Sequence, residues 1–269
     1  MPLWVDALRV RHADLVEEVD WPSHVRGLNE RLGLTGRYRL TESRWAPEFF
    51  LAALGRLQPR RWLAVVSLNP KEMSAENRSW HEAQLWTPAS YWDYLLREDL
   101  RGWQVSDFYY RKWAYPLVIM MAELAGDESL LDAPEVSYMY GIGAFELIPF
   151  PSHEYASGTF AAMEDDPACR FSRDVALAAI ANCPPLAVVA NGTDSAAAVP
   201  EWLALDVSPV EHRYESSAKP GKVLRHWQSS IETPYGSVPY AGFPFLRTQS
   251  GHNSFEEIRQ LAREIGAAS

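Results

Sequence analysis

Short apolar runs alternate with helical-period stripes along most of the chain, the pattern of strands and helices wound into a layered α/β fold. The clearest run, Leu186-Ala187-Val188-Val189-Ala190, predicts a buried strand ended by the turn pair Asn191-Gly192. A second, residues 61–68, stops at Asn69-Pro70, a dipeptide that leaves extended structure. Residues 144–150 and 239–246 supply two further strands. Helices are predicted over Ala46–Leu57, over Pro88–Leu100 with Pro88 in the first turn, and over Tyr115–Leu124 with a stop at Ala125-Gly126. Others cover 170–182 and start at Thr193. The last follows Ser254, where Ser254 and Glu257 have capping-box spacing and Ile258, Leu261 and Ile265 recur on one side. Residues 71–86 form a polar segment long enough for a binding loop, 105–110 a short strand or loop, and 203–238 contain a hairpin or insertion. Residues 1–45 carry two imperfect helical stripes and read as a peripheral extension. The expected fold is a three-layer α/β/α sandwich over 46–269, around a central, mostly parallel four-stranded sheet, plus that helical N-terminal extension.

Composition narrows the class. With 47% hydrophobic and 22% charged residues, a chain of 269 residues can bury a sizeable core. No apolar run approaches membrane-spanning length and charges interrupt the N-terminus, so neither a span nor a leader is expected. Cys169 and Cys183 have no metal or redox spacing and read as buried free thiols, in keeping with a reducing cytoplasm. A net charge of −10 argues against non-specific binding to a polyanion, although the field in a cleft can oppose the global sign.

Candidate chemistry is sparse. There is no Gly-x-Ser-x-Gly elbow, phosphate-binding glycine loop or His-Glu-x-x-His helix, and Gly141-x-Gly143 stands alone. No metal or organic cofactor is expected. What remains are polar residues at predicted strand ends: Asn69, Glu146, Asn191 and the loop Arg247–Asn253. Asn-Pro, Asn-Gly and Ser-Gly make turns without any function. Glu146 differs, because it interrupts an apolar strand between Phe145 and Leu147, where a charge is costly unless paired. Either a cation such as Arg61 or Arg247 satisfies it, or it has a functional role.

Leu68-Asn69-Pro70 at the end of the first core strand resembles the first motif of the uracil-DNA glycosylase superfamily, with Ser67 and Lys71 where its mismatch-specific and single-strand-selective branches have glycines. Glu146-Leu147-Ile148-Pro149-Phe150 is similar to the Asn-Leu-Cys-Pro-Leu segment that holds the base-reading Asn of the single-strand-selective branch. The strand before Asn191-Gly192 resembles the third core strand, and Arg247–Asn253 stands where the superfamily has a His-Pro-Ser loop, without its His and Pro. The likeness in order covers roughly residues 46–266. It implies a uracil-DNA glycosylase-like fold, a flipped-out base and an abasic-site product.

On that resemblance Asn69 holds the attacking water and Glu146 replaces the base-reading Asn. A carboxylate only accepts hydrogen bonds, so it repels the O4 of uracil and suits the N4 amino group of cytosine. A protonated Glu146, with its pKa raised by burial, would also help the base leave. Excising ordinary cytosine would destroy the host genome, so the expected substrate is a modified cytosine; the resemblance, to a superfamily that includes antiviral glycosylases acting on phages with glucosylated hydroxymethylcytosine, implies that base as the leading choice. Pro70, Trp80, Trp86, Asp107, Tyr109 and Arg111 form the expected base-binding set. Arg247, Gln249, Ser250, His252, Asn253, Lys219 and Lys222 form the expected DNA contacts, with Arg225 near the last two. The protein is expected to act as a monomer. Two alternatives stay open: an N-glycoside hydrolase on free nucleosides or nucleotides, and a nucleic-acid-binding module that has lost catalysis.

Overall fold

The computed structural model describes residues 1–45, 47–68, 83–96, 114–156, 158–205, 208–216, 220–244, 246 and 253–267. In chain order the helices are α1 (Leu3–Glu18), α2 (Trp21–Arg31), α3 (Pro88–Leu95), α4 (Tyr115–Ala125), α5 (Pro134–Gly141), α6 (Pro167–Asn182), α7 (Thr193–Trp202) and α8 (Phe255–Ala267). The strands are β1 (Phe50–Leu51), β2 (Leu63–Ser67), β3 (Ile142–Glu146), β4 (Ala187–Asn191), β5 (Val210–Glu215), β6 (Val223–Thr233) and β7 (Gly236–Phe243). They join in one mixed sheet of order β1-β3-β2-β4-β7-β6-β5.

Burial on both faces explains the centre of the sheet. Leu63 to Val66 and Ala187 to Asn191 are buried at every position, as expected of strands covered by helices on either side. β2 runs parallel to β4 with Val65 opposite Val189, and β4 runs parallel to β7 with Val189 opposite Ala241. At the side of β7 the sheet turns antiparallel, β6 pairing with β7 and β5 with β6. The insertion expected within 203–238 is this β5–β6 hairpin, and together with β1 it takes the sheet to seven strands rather than four.

Three local expectations change. Of the helix expected over Ala46–Leu57, the described residues 47–57 form none: Phe50–Leu51 make β1 and Leu54–Arg56 a single 3₁₀ turn. Phe49, Phe50, Ala52, Ala53 and Leu54 are all buried, so the segment has no polar face to present to water as a surface helix would. The strand expected over 144–150 is β3, ending at Glu146; Pro149 beyond it has no N–H to offer a ladder. Helix α5 was not legible from periodicity, although Pro134 in its first turn is a start signal.

The chain divides into two compact units. The first comprises Met1–Gly55, Leu68–Trp103 and Phe145–Ala178. Its core is aromatic, built on Trp21, Phe49, Phe50, Tyr91, Trp92 and Phe150. His12 of α1 sits fully buried in that core, its ring 5.1 Å from Trp92, 5.7 Å from Phe49 and 6.0 Å from Tyr91. Both its nitrogens lack partners among the described residues, and burial lowers its pKa to about 3. Asn29 ties the end of α2 to Leu40 with two bonds, Nδ2 to the carbonyl at 2.9 Å and Oδ1 from the N–H at 2.8 Å.

The second unit comprises Arg56–Ser67, Gln104–Ala144 and Ala179–Ser269. Helix α8 packs on α4, with Arg259 bonded to Glu123 at 3.1 Å and to Glu128 at 2.5 Å. The capping box forms as expected: Glu257 N–H donates to Ser254 Oγ, and Ser254 N–H to the Glu257 carboxylate. Gly126 ends α4 in the left-handed conformation (φ 62°), the stop read from the sequence. No described helix is long and apolar enough to cross a membrane.

Candidate active site

Glu146 is the last residue of β3, and the alternation of the strand leaves it partly open while Phe145 is fully enclosed. Its Oε2 is nevertheless buried and has no hydrogen-bond partner among the described residues. No described cation pairs with it; Arg61 is exposed, and Arg247 lies outside the described residues. An uncompensated carboxyl in such a place protonates rather than stay charged. Burial raises its pKa well above the usual carboxylate range, and the Coulombic repulsion of Glu48 adds to the shift.

Glu48 is the residue that sequence reasoning missed. It is buried, and its pKa is pushed up to about 7 by desolvation. The backbone brings the two acids together. Glu48 N–H donates to the Pro149 carbonyl at 2.7 Å, and Ser172 Oγ of α6 donates to the carbonyls of Phe49 (2.7 Å) and Glu146 (2.5 Å). One helical serine thus ties the segment carrying Glu48 to the segment carrying Glu146. Beside them Tyr91 of α3 is fully buried, its hydroxyl donating to the carbonyls of Trp45 (3.0 Å) and Pro47 (3.1 Å). The signal for Glu48 was the one used for Glu146: an acid set between Pro47 and Phe49 in an apolar stretch.

Of the residues predicted for the base-binding set, Trp86 is described. It is partly exposed, with its ring 5.7 Å from Tyr91 and 5.3 Å from Tyr94, and the Trp45 ring also lies 5.2 Å from Tyr91. Asn69, Pro70, Trp80, Asp107, Tyr109 and Arg111 lie outside the described residues, as do Lys219, Arg247, Gln249, Ser250 and His252. The exit toward Asn69 is visible through its neighbour: Ile148 N–H donates to the Leu68 carbonyl at 2.8 Å, so the stretches leaving β2 and β3 lie side by side.

In the second unit, Asn191 at the exit of β4 has a scaffolding contact, its Oδ1 accepting from Leu246 N–H at 3.0 Å. Asn253 is buried and accepts from the Tyr214 hydroxyl at 2.5 Å. Lys222 is partly exposed in the turn before β6, and Arg225 lies on β6 over the Trp227 ring at 5.1 Å. β2 and β4 are adjacent and parallel, and the chain passes to one side of β2 for β3 and to the other for β4 and β7.

Chemically, the first unit offers a carboxyl whose Oε2 has no described partner and whose ionisation is disfavoured by burial and by a second acid. Such a group donates one hydrogen bond, accepts another and can release a proton. Among the described residues no group of three or more His, Cys, Asp or Glu side chains is placed to hold a metal ion. Compared with known proteins, the chain matches no family model, no curated protein and no solved structure.

Proposed function

We propose that this chain is a monofunctional DNA glycosylase that excises a modified cytosine-type base, with Glu146 as the group that meets the base edge and supplies a proton. The observation that carries the reading is the enclosed Oε2 of Glu146, without a described partner, on a carboxyl whose ionisation burial and Glu48 both disfavour. A neutral carboxylic acid can donate to N3 of cytosine while accepting from the N4 amino group, a two-point match. Proton transfer to N3 turns this into a charge-assisted carboxylate–cytosinium pair. As the C1′–N1 bond breaks, the electron pair goes to N1 and the base departs neutral instead of as an anion. Water held by Asn69 adds to C1′ and loses its proton to solvent, leaving an abasic site, and a proton from solvent restores Glu146 once the base has left.

The neutral state alters the discrimination expected from the sequence. An ionised Glu146 would repel O4 of uracil, whereas a neutral one can pair with N3–H and O4 as well. Preference for a cytosine-type base then comes from proton affinity, since N3 of cytosine is basic and O4 of uracil is not. The partly exposed Trp86, clustered with Tyr91 and Tyr94, is the described aromatic available to stack on a flipped base. The best-fitting substrate is hydroxymethylcytosine carrying a sugar, as in phage DNA, so that the host's own cytosine is spared. Antiviral defence in a bacterial cytoplasm is the role that fits such a substrate.

The net charge of −10 favours a second reading, hydrolysis of a free nucleoside or nucleotide. One experiment separates them. Oligonucleotides carrying uracil, hydroxymethylcytosine or its glucosylated forms are incubated with the protein and scored for alkali-labile sites, beside the corresponding free nucleosides. Excision from the oligonucleotide and not the nucleoside supports the glycosylase reading. Cleavage of the nucleoside alone supports the second, and salt-sensitive binding without scission makes the chain a binding module.

A further inference from the structure

Strand β5 is the outermost strand on its side of the sheet, and no other described strand pairs with its free edge. Five of its six residues are exposed, Val210 at 59%. Such an edge is a template for another strand. The phase of its hydrogen bonds is fixed by one contact: Ser216 N–H donates to the Lys222 carbonyl at 2.9 Å, in line with the register that pairs Glu215 with Val223. Val210, His212 and Tyr214 therefore turn their backbone groups toward β6, and Glu211, Arg213 and Glu215 turn theirs outward.

Like charges also face each other across this ribbon. Arg213 stands directly opposite Arg225, a like-charge cross-strand pair. Both share a single carboxylate, Glu211, at 2.7 Å from Arg213 and 3.9 Å from Arg225.

We propose that β5 pairs antiparallel with β5 of a second copy of this chain, forming a two-fold dimer through a continuous sheet. Outward-facing residues must meet outward-facing residues, which limits the register to a few choices. With His212 opposite His212, each Glu211 faces an Arg213 of the second copy, and each Val210 faces a Tyr214. That register gives each Arg213 a second carboxylate. Sliding the strands by one permitted step instead sets Glu211 against Glu211, or Arg213 against Arg213 and Glu211 against Glu215. Like charges thus select one register, as charge pairs do in sheets generally. The interface is self-complementary, the form a two-fold axis demands.

The test uses the full chain in two measurements. Sedimentation velocity is expected to show wild-type dimer at concentrations of about 100 µM, the range of a small interface. Arg213→Glu weakens it at least ~10-fold, the loss of about 1.4 kcal/mol, and adding Glu211→Arg to that variant restores it. Variants with one added cysteine then read the register. In His212→Cys the two Cα atoms face each other across a non-hydrogen-bonded pair at about 4.5 Å, within disulfide reach, while Cys169 and Cys183 are buried. Mild oxidation is expected to cross-link His212→Cys and not Glu211→Cys or Arg213→Cys. A wild-type monomer at that concentration, a dimer indifferent to Arg213→Glu, or cross-linking at 211 or 213 in preference to 212 would each overturn the proposal.

Discussion

Glu48 and Glu146 lie close enough for the charge of Glu48 to raise the proton affinity of Glu146. Neither has a described cation nearby, and the backbone bonds from Glu48 to Pro149 and from Ser172 to Glu146 hold the two segments in register. The charge of Glu48 disfavours loss of the Glu146 proton, so the proton that Glu146 would give a substrate depends on the state of its neighbour.

Replacing Glu48 by Gln removes that repulsion. Glu146→Gln is expected to abolish excision of a cytosine-type base, whereas Glu48→Gln keeps activity but moves the basic limb of the pH–rate profile to lower pH. A basic limb unmoved by Glu48→Gln would detach Glu48 from the proton on Glu146.

Stability carries its own signature. The Glu48 pKa is raised to about 7 in the folded protein, so between the unfolded value of 4.5 and about 7 the native state holds a proton that the unfolded state has lost. Stability therefore falls as pH rises through that window, by on the order of 3 kcal/mol from Glu48. Urea denaturation at pH 5 and pH 8 should show a smaller difference for Glu48→Gln than for wild type.

His12 has the opposite sign. Its pKa is lowered to about 3, so below 6.5 the unfolded chain takes up a proton that the buried ring refuses. Stability is lost as pH falls from 6.5 toward 3, and His12→Leu should unfold at lower pH than wild type in an acid titration followed by circular dichroism. An unchanged acid midpoint would mean that His12 does not stay neutral in the core.

Gly242 permits the contact between β7 and α7. A Cβ there would lie 2.9 Å from Tyr240 Oη, 3.0 Å from Ala196 Cβ and 3.4 Å from Ala196 Cα. The helix backbone cannot yield cheaply, so Gly242→Ala should cost about 1–3 kcal/mol. Thermal denaturation checks this, with Gly27→Ala, where a Cβ meets nothing within 4 Å, as the tolerated control.

Asn69 follows Leu68, whose carbonyl is held by Ile148 N–H two residues beyond Glu146. Asn69→Ala is expected to reduce base release at least ~100-fold with the fold retained, the scale typical of losing a group that acts in the transition state. Wild-type excision by that variant would remove Asn69 from the mechanism.

The central strands were legible because β2 and β4 are buried on both faces and therefore read as unbroken apolar runs. The cap of α8 and the stop of α4 were legible because each rests on a local rule, Ser254 with Glu257 and the left-handed Gly126. Glu48 was hidden by the helix expected over 46–57: an acid on an amphipathic helix needs no partner, whereas one beside a buried strand does. The proximity of Glu48 to Glu146 could not be read at all, since about a hundred residues separate them and only the fold joins Pro149 to Glu48. Asn191 and Asn253 were flagged for their polarity at strand and loop ends, and long-range bonds to Leu246 and Tyr214 account for both.

Those last two bonds fasten the chain on either side of Arg247–His252: the Asn191 amide grips Leu246, and the Tyr214 hydroxyl grips Asn253. Both fasteners belong to other elements, so the two points from which that stretch departs and to which it returns are anchored by β4 and β5.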